Sequence, residues 1–109
     1  MPVFSRKDTN CTQCAEFKMR VKINGAAHLQ RILCHVETAV SLGILCDIGK
    51  ETDPEWGSSL AECRALGNGR NRFGWHDILS LYFECLHCRR RYHLRGDTYH
   101  GNVWWEQAA

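Results

Sequence analysis

The sequence predicts an α+β fold: a small antiparallel sheet carrying two zinc knuckles, with two helices packed on one face. Three observations lead there. Two Cys-x-x-Cys pairs, Cys11/Cys14 and Cys85/Cys88, lie far apart in the chain. Each is followed by a segment in which apolar and polar residues alternate, the mark of a half-buried strand. Between them the hydrophobic period becomes that of a helix, so strand-like blocks flank a helical middle.

Residues 1–10 are mostly polar and read as a flexible arm. Phe17, Met19, Val21 and Ile23 then alternate with Glu16, Lys18, Arg20 and Lys22, which predicts a strand ended by the turn pair Asn24-Gly25. From about Ala26 to Leu42 the apolar positions Leu29, Ile32, Leu33, Val36 and Val40 form one stripe of an amphipathic helix. Gly43 is its stop signal, and the apolar run Ile44–Ile48 fits neither pattern. Asp53 as cap, Pro54 at the first helical position and Glu55 beside the positive end of the dipole predict a second helix. Its buried face would carry Trp56, Leu60 and Cys63, and Gly67 would close it.

Residues 67–74 hold three glycines with Arg70 and Arg72 and read as a flexible loop. A strand follows, with Leu79, Leu81 and Phe83 inward and Ser80, Tyr82 and Glu84 outward, running straight into Cys85. Tyr92 and Leu94 mark a return strand, Gly96-Asp97 a turn, and Val103–Glu106 a last strand. Alternation requires that one of Trp104 and Trp105 be buried and the other exposed. At 109 residues, with no linker or low-complexity stretch, the chain reads as one domain, 1–109.

Composition narrows the class. Hydrophobic residues at 44% and charged residues at 24% are globular values that argue against disorder. A net charge of +2 is too small to imply a nucleic-acid or membrane-surface partner by itself. No apolar run approaches the roughly 20 residues that span a bilayer. The segment Met1–Asp8 reaches charge at Arg6 and lacks the apolar stretch of a secretory signal. With seven cysteines, an odd number, the expectation is reduced thiols in a cytoplasmic protein.

The paired Cys-x-x-Cys motifs are the strongest chemical signal. Such a turn sets two sulfurs at adjacent corners of a tetrahedron, and two turns complete a four-thiolate site. Cys11, Cys14, Cys85 and Cys88 are therefore the expected ligands of one structural Zn2+, and the inserted helices account for the separation of the pairs. Four thiolates leave no open position to activate water. Two independent redox dithiols are the competing reading, which the strand patterns disfavour because a catalytic Cys-x-x-Cys normally opens a helix. Cys34, Cys46 and Cys63 read as buried free thiols. His87 and His93 would be the nearest substitutes if a thiolate were missing.

Arg89, Arg90, Arg91 and Arg95, interleaved with Tyr92, Tyr99, Trp104 and Trp105, form the most basic region. Basic and aromatic groups together can hold single-stranded nucleic acid. A solvated strand face is the plainer reading at this net charge. No nucleophile, base and orienter assemble in the sequence, and P-loop, dinucleotide and Gly-x-Ser-x-Gly motifs are absent. His76-Asp77 lacks the surroundings of a zinc-stapled His-Asn-His nuclease.

The segment from Phe83 to Trp105, with Cys85-Leu-His-Cys88 and Thr98-Tyr-His-Gly101 before the tryptophans, resembles the tail of small bacterial zinc-ribbon-like proteins of toxin-immunity type. Typical zinc knuckles place glycine after the second cysteine, where this chain has Ala15 and Arg89. The resemblance implies a non-enzymatic, zinc-stabilised protein that binds a protein partner, for example a bacterial toxin. On that expectation Arg70, Arg72, Tyr99, His100 and Trp105 make the contact. The alternative is a nucleic-acid binder using Arg89, Arg90, Arg91 and Arg95, and thiol–disulfide chemistry comes third.

Overall fold

The computed structural model describes residues 11–55, 57–61, 78–98 and 100–108. The expectations for the arm 1–10, for Trp56, Cys63 and Gly67, for the loop 67–74 with Arg70 and Arg72, for His76-Asp77 and for Tyr99 lie outside them. The described chain is α+β, with one antiparallel sheet and two helices. A 3-10 turn, Ala15–Phe17, precedes β1 (Val21–Ile23), α1 (Ala26–Ser41), β2 (Leu45–Asp47) and α2 (Gly49–Thr52). Then come β3 (Ile78–Cys85), β4 (Arg91–Asp97) and β5 (Asn102–Gln107). The strand order is β1-β5-β4-β3-β2.

The three long strands follow the alternation of the sequence. Leu79, Leu81 and Phe83 of β3, Tyr92 and Leu94 of β4, and Val103 and Trp105 of β5 are buried. Register places Leu81 opposite Leu94 and Leu94 opposite Trp105, so these side chains share one face. Against that face α1 lays Leu29, Leu33, Val36 and Ala39. The helix ends where the sequence says it should. Gly43 has φ +76°, its N–H donates to Val40 O, and Ile44 N–H donates to Ala39 O. That is a Schellman stop, which needs a residue at ease in the left-handed region.

Three expectations change. The strand predicted over Phe17–Ile23 is formed only at Val21–Ile23. Phe17 N–H donates to Cys14 O and Lys18 N–H to Ala15 O, closing 3-10 turns behind the first cysteine pair. Met19, which the alternation turns inward, is 71% exposed. The Phe17 and Lys18 carbonyls instead accept from the side chains of Trp105 and Gln107. The unassigned run Ile44–Ile48 contains β2, with Leu45 opposite Cys85 and Asp47 opposite Phe83.

The second helix does not start at Asp53. α2 lies before it, with Asp53 as its C-cap at φ −137° and ψ 82°, and helical backbone returns only at Leu60 and Ala61, inside the expected span. A residue before proline is pushed out of the helical region, so Pro54 ends this helix rather than opening the next. Only Gly49 of α2 is buried, so among the described residues the helical side chains of the core come from α1 and from Leu60, where helical backbone resumes. Among the described residues no helix is long and apolar enough to cross a membrane.

A candidate metal centre

The sheet register brings the two cysteine pairs together. β3 ends on Cys85, and the turn to β4 carries Cys88. Cys85 N–H donates to Arg90 O and Arg89 N–H to Cys85 O, at 2.8 and 2.9 Å. Arg89 takes φ +66°, the only non-glycine residue with positive φ among those described. This is the position where zinc knuckles carry glycine. Ala15, the matching residue of the first turn, enters the 3-10 turn instead. The first turn reaches the same place because Trp105 Nε1–H donates to Phe17 O at 2.7 Å, drawing the segment across the sheet.

Cys11, Cys14, Cys85 and Cys88 are all buried, and their sulfurs lie within 4.8 Å of one another. Cys11 Sγ is 3.8 Å from Cys85 Sγ, and Cys14 Sγ is 3.6 Å from Cys88 Sγ. Metal–sulfur bonds of about 2.3 Å in a tetrahedron set sulfur–sulfur edges of about 3.8 Å. The site therefore has the dimensions and soft donors to hold a metal ion, and no other cluster of three or more potential ligands occurs among the described residues.

Hydrogen-bond donors reach the sulfur cluster. His87 N–H points at Cys85 Sγ at 3.4 Å, and Tyr92 Oη–H donates to Cys14 Sγ at 3.1 Å. Burial opposes ionisation of Cys11, but the amides of Cys14 and Gln13 outweigh it and bring the thiol down to about 7. Burial pushes Cys14 up to about 12 against the pull of the Tyr92 hydroxyl, and it also raises Cys85. Tyr92 is itself raised, first by burial and then by its bond to Cys14. So the protein groups favour the thiolate at Cys11 and oppose it at Cys14 and Cys85, where a cation held in the site would supply the missing charge.

The remaining predicted site residues disperse. Trp105 was expected on a contact surface but is 2% exposed, stacked on Tyr92 with centroids 5.5 Å apart. Its indole N–H is used internally, so its parity and its hydrogen bond both place it in the core. Trp104 is the outward partner, with the Arg20 guanidinium 3.9 Å and the Lys22 ammonium 5.2 Å from its ring centre. His100 is exposed and paired with Asp97. Arg89 and Arg91 lie within ion-pair distance of Glu84, Arg95 pairs with Glu106 at 2.6 Å, and Arg90 donates to Gln107.

Cys34 was expected to be buried and is exposed on α1, while Cys46 is half-buried. Alternation explains Cys46, whose partner across the ladder is the outward Glu84. His93 is no substitute ligand, because it stacks on Tyr82 and bonds Ser80 Oγ at 3.0 Å. Sequence reasoning missed the Tyr92 hydroxyl at the sulfur cluster. Its signal was present: Tyr92 shares the inward phase of Leu94 and lies a few residues beyond Cys88. Comparison with protein-family models, curated proteins and solved structures finds no match to this chain.

Proposed function

We propose that this chain is a non-enzymatic, zinc-stabilised binding protein that engages a protein partner, in the manner of an immunity protein that neutralises a bacterial toxin. The observation carrying the first half is the closed set of four buried thiols. Zinc is the metal this donor set suits, and four thiolates leave it no vacant position for substrate. Its role is then to hold the fold. The second half rests on the tail resemblance and on how the cations are used. Ion-pair or hydrogen-bond partners are already present for Arg89, Arg91, Arg95 and Arg90, which weakens the nucleic-acid alternative.

Elemental analysis of protein purified without chelator or added metal, with a parallel count of reactive thiols, tests the zinc. The expected result is one zinc per chain and four thiols protected until a chelator is added. No metal together with a fast-reacting cysteine pair would replace this reading with thiol–disulfide exchange, for which the lowered Cys11 thiol is the favouring observation. Cross-linked affinity capture from the native host tests the partner: a stoichiometric protein is expected, and nucleic acid alone would favour the alternative.

A further inference from the structure

We propose that the outward face of β1, β5 and β4, centred on Trp104, is a docking surface for an acidic segment of a protein partner. The proposal rests on the protein-binding reading above and adds where the partner sits and what chemistry it brings. The sheet alternation fixes the face. Val21 and Ile23, Val103 and Trp105, and Tyr92 and Leu94 turn towards α1, so Lys22, Trp104, Glu106, His93 and Arg95 turn away. Because Trp105 is committed to the core through Phe17 O, Trp104 has nowhere else to point.

Charge selects the partner. Arg20 and Lys22 flank the Trp104 ring, and Arg20 also reaches Glu106 at 3.1 Å. Arg95 bonds the other oxygen of the same carboxylate, and those two bonds hold Glu106 well below the usual carboxylate range. Among the described residues, three cations thus face one carboxylate around the Trp104 indole. The Arg20 and Arg95 side chains keep 59% and 43% of their surface exposed. Tryptophan and arginine are the residue types that dominate binding energy at protein interfaces. A surplus of positive charge beside them steers acidic surfaces in and repels basic ones.

The same geometry argues against a nucleic-acid strand on this face. Base stacking needs an open ring face, but the Arg20 guanidinium lies over the Trp104 indole. Tyr82 and His93 stack on each other at 3.9 Å and an interplanar angle of 11°, so each ring covers one face of its neighbour.

The test is an amide and indole NMR titration of the full chain with poly-L-glutamate, with oligothymidylate as the competing polyanion. The expected result is saturable shifts at the Trp104 indole, Arg20 and Lys22, with the Trp105 indole unmoved. Lys22→Glu should weaken binding tenfold or more. Arg31→Glu, which changes net charge equally from helix α1, should alter it less than twofold. Shifts centred elsewhere, equal losses from Lys22→Glu and Arg31→Glu, or tighter binding of oligothymidylate to these residues would overturn the proposal. Affinity capture from the native host separates it from the reading beneath it. A host protein that Trp104→Ala still binds would overturn this surface and leave protein binding standing. Recovery of no host protein would overturn both, and a tenfold loss with Trp104→Ala is the expected outcome.

Discussion

The two Cys-x-x-Cys turns present the same atoms to the same centre but hang from different supports. Cys85 and Cys88 sit in the connection between β3 and β4, which pair continuously from Ile78↔Asp97 to Glu84↔Arg91. Cys11 and Cys14 are followed by a 3-10 turn and a three-residue edge strand. Their segment is held by side-chain donors from β5 rather than by a ladder. One turn is built by the sheet. The other is recruited to it, so the proposed ion would contribute most of its stability where the backbone contributes least.

If zinc is bound as proposed, removing it is the strongest way to break that comparison. Structural zinc sites carry on the order of 10 kcal/mol of apparent folding free energy. Hydrogen exchange after chelation should show protection lost first at Phe17–Ile23, while amides of Leu81, Phe83 and Leu94 keep theirs longest. Simultaneous loss in both regions would mean that the hairpin depends on the ion as much as the first turn does.

Tyr92→Phe gives the next largest effect. It deletes the donor to Cys14 Sγ while keeping the ring stacked on Trp105. Groups that hydrogen-bond metal ligands are typically worth 10–100-fold in metal affinity, so competition with a chromophoric chelator should show a loss in about that range. Unchanged affinity would mean that Tyr92 serves packing alone.

Smaller effects distinguish the turns themselves. At Arg89 the left-handed backbone disfavours any side chain, most of all a branched one. Arg89→Val should cost about 1–3 kcal/mol in denaturant unfolding, whereas Arg89→Gly should cost nothing measurable. Ala15 lies in a right-handed turn, so Ala15→Gly should not stabilise.

The smallest effect is on the far side of β4. Burial, and then the charge of Arg95, hold the His93 imidazole below its ordinary value. A depressed pKa means the unfolded chain takes up the proton first. The contribution of His93 to stability is therefore complete above pH of about 6.5 and lost as pH falls through the folded-state value. Unfolding curves of the wild type and His93→Gln, compared between pH 7.5 and 5, should show the wild type losing relative stability on acidification. Parallel curves would contradict this.

How much of this was legible depended on what each residue's neighbours in sequence could report. The cysteine pairs, the three long strands and the stripe of α1 are local periodicities, and the structure keeps them. The strand expected from Phe17 failed because Met19 happens to continue an alternation that the cysteine turn has already broken. Asp53-Pro54 carries the marks of a helix start and of a helix end alike. What decided for an end was Gly49–Thr52, a turn with no apolar stripe to announce it. Choosing between Trp104 and Trp105 required the register with β1 and β4, which no local window contains. The four clustered cysteines could be named in advance because paired Cys-x-x-Cys spacing is specific. Tyr92 carried only the signal of its inward phase near Cys88, which a strand tyrosine with other uses shares.

The site's two halves are 74 positions apart in the chain, Cys11 with Cys85 and Cys14 with Cys88. A ribosome adding roughly 5–20 residues each second therefore delivers the first thiol pair several seconds before its counterpart exists. The edge strand beside that pair waits longer still, since Val21 aligns with Trp105 on β5, the last of the described strands. Through that interval Cys11 and Cys14 are an unsheltered dithiol, open to oxidation or to capture of an ion in the wrong company. On the zinc reading, the supply of reductant and metal during synthesis bears on this protein before its sheet exists.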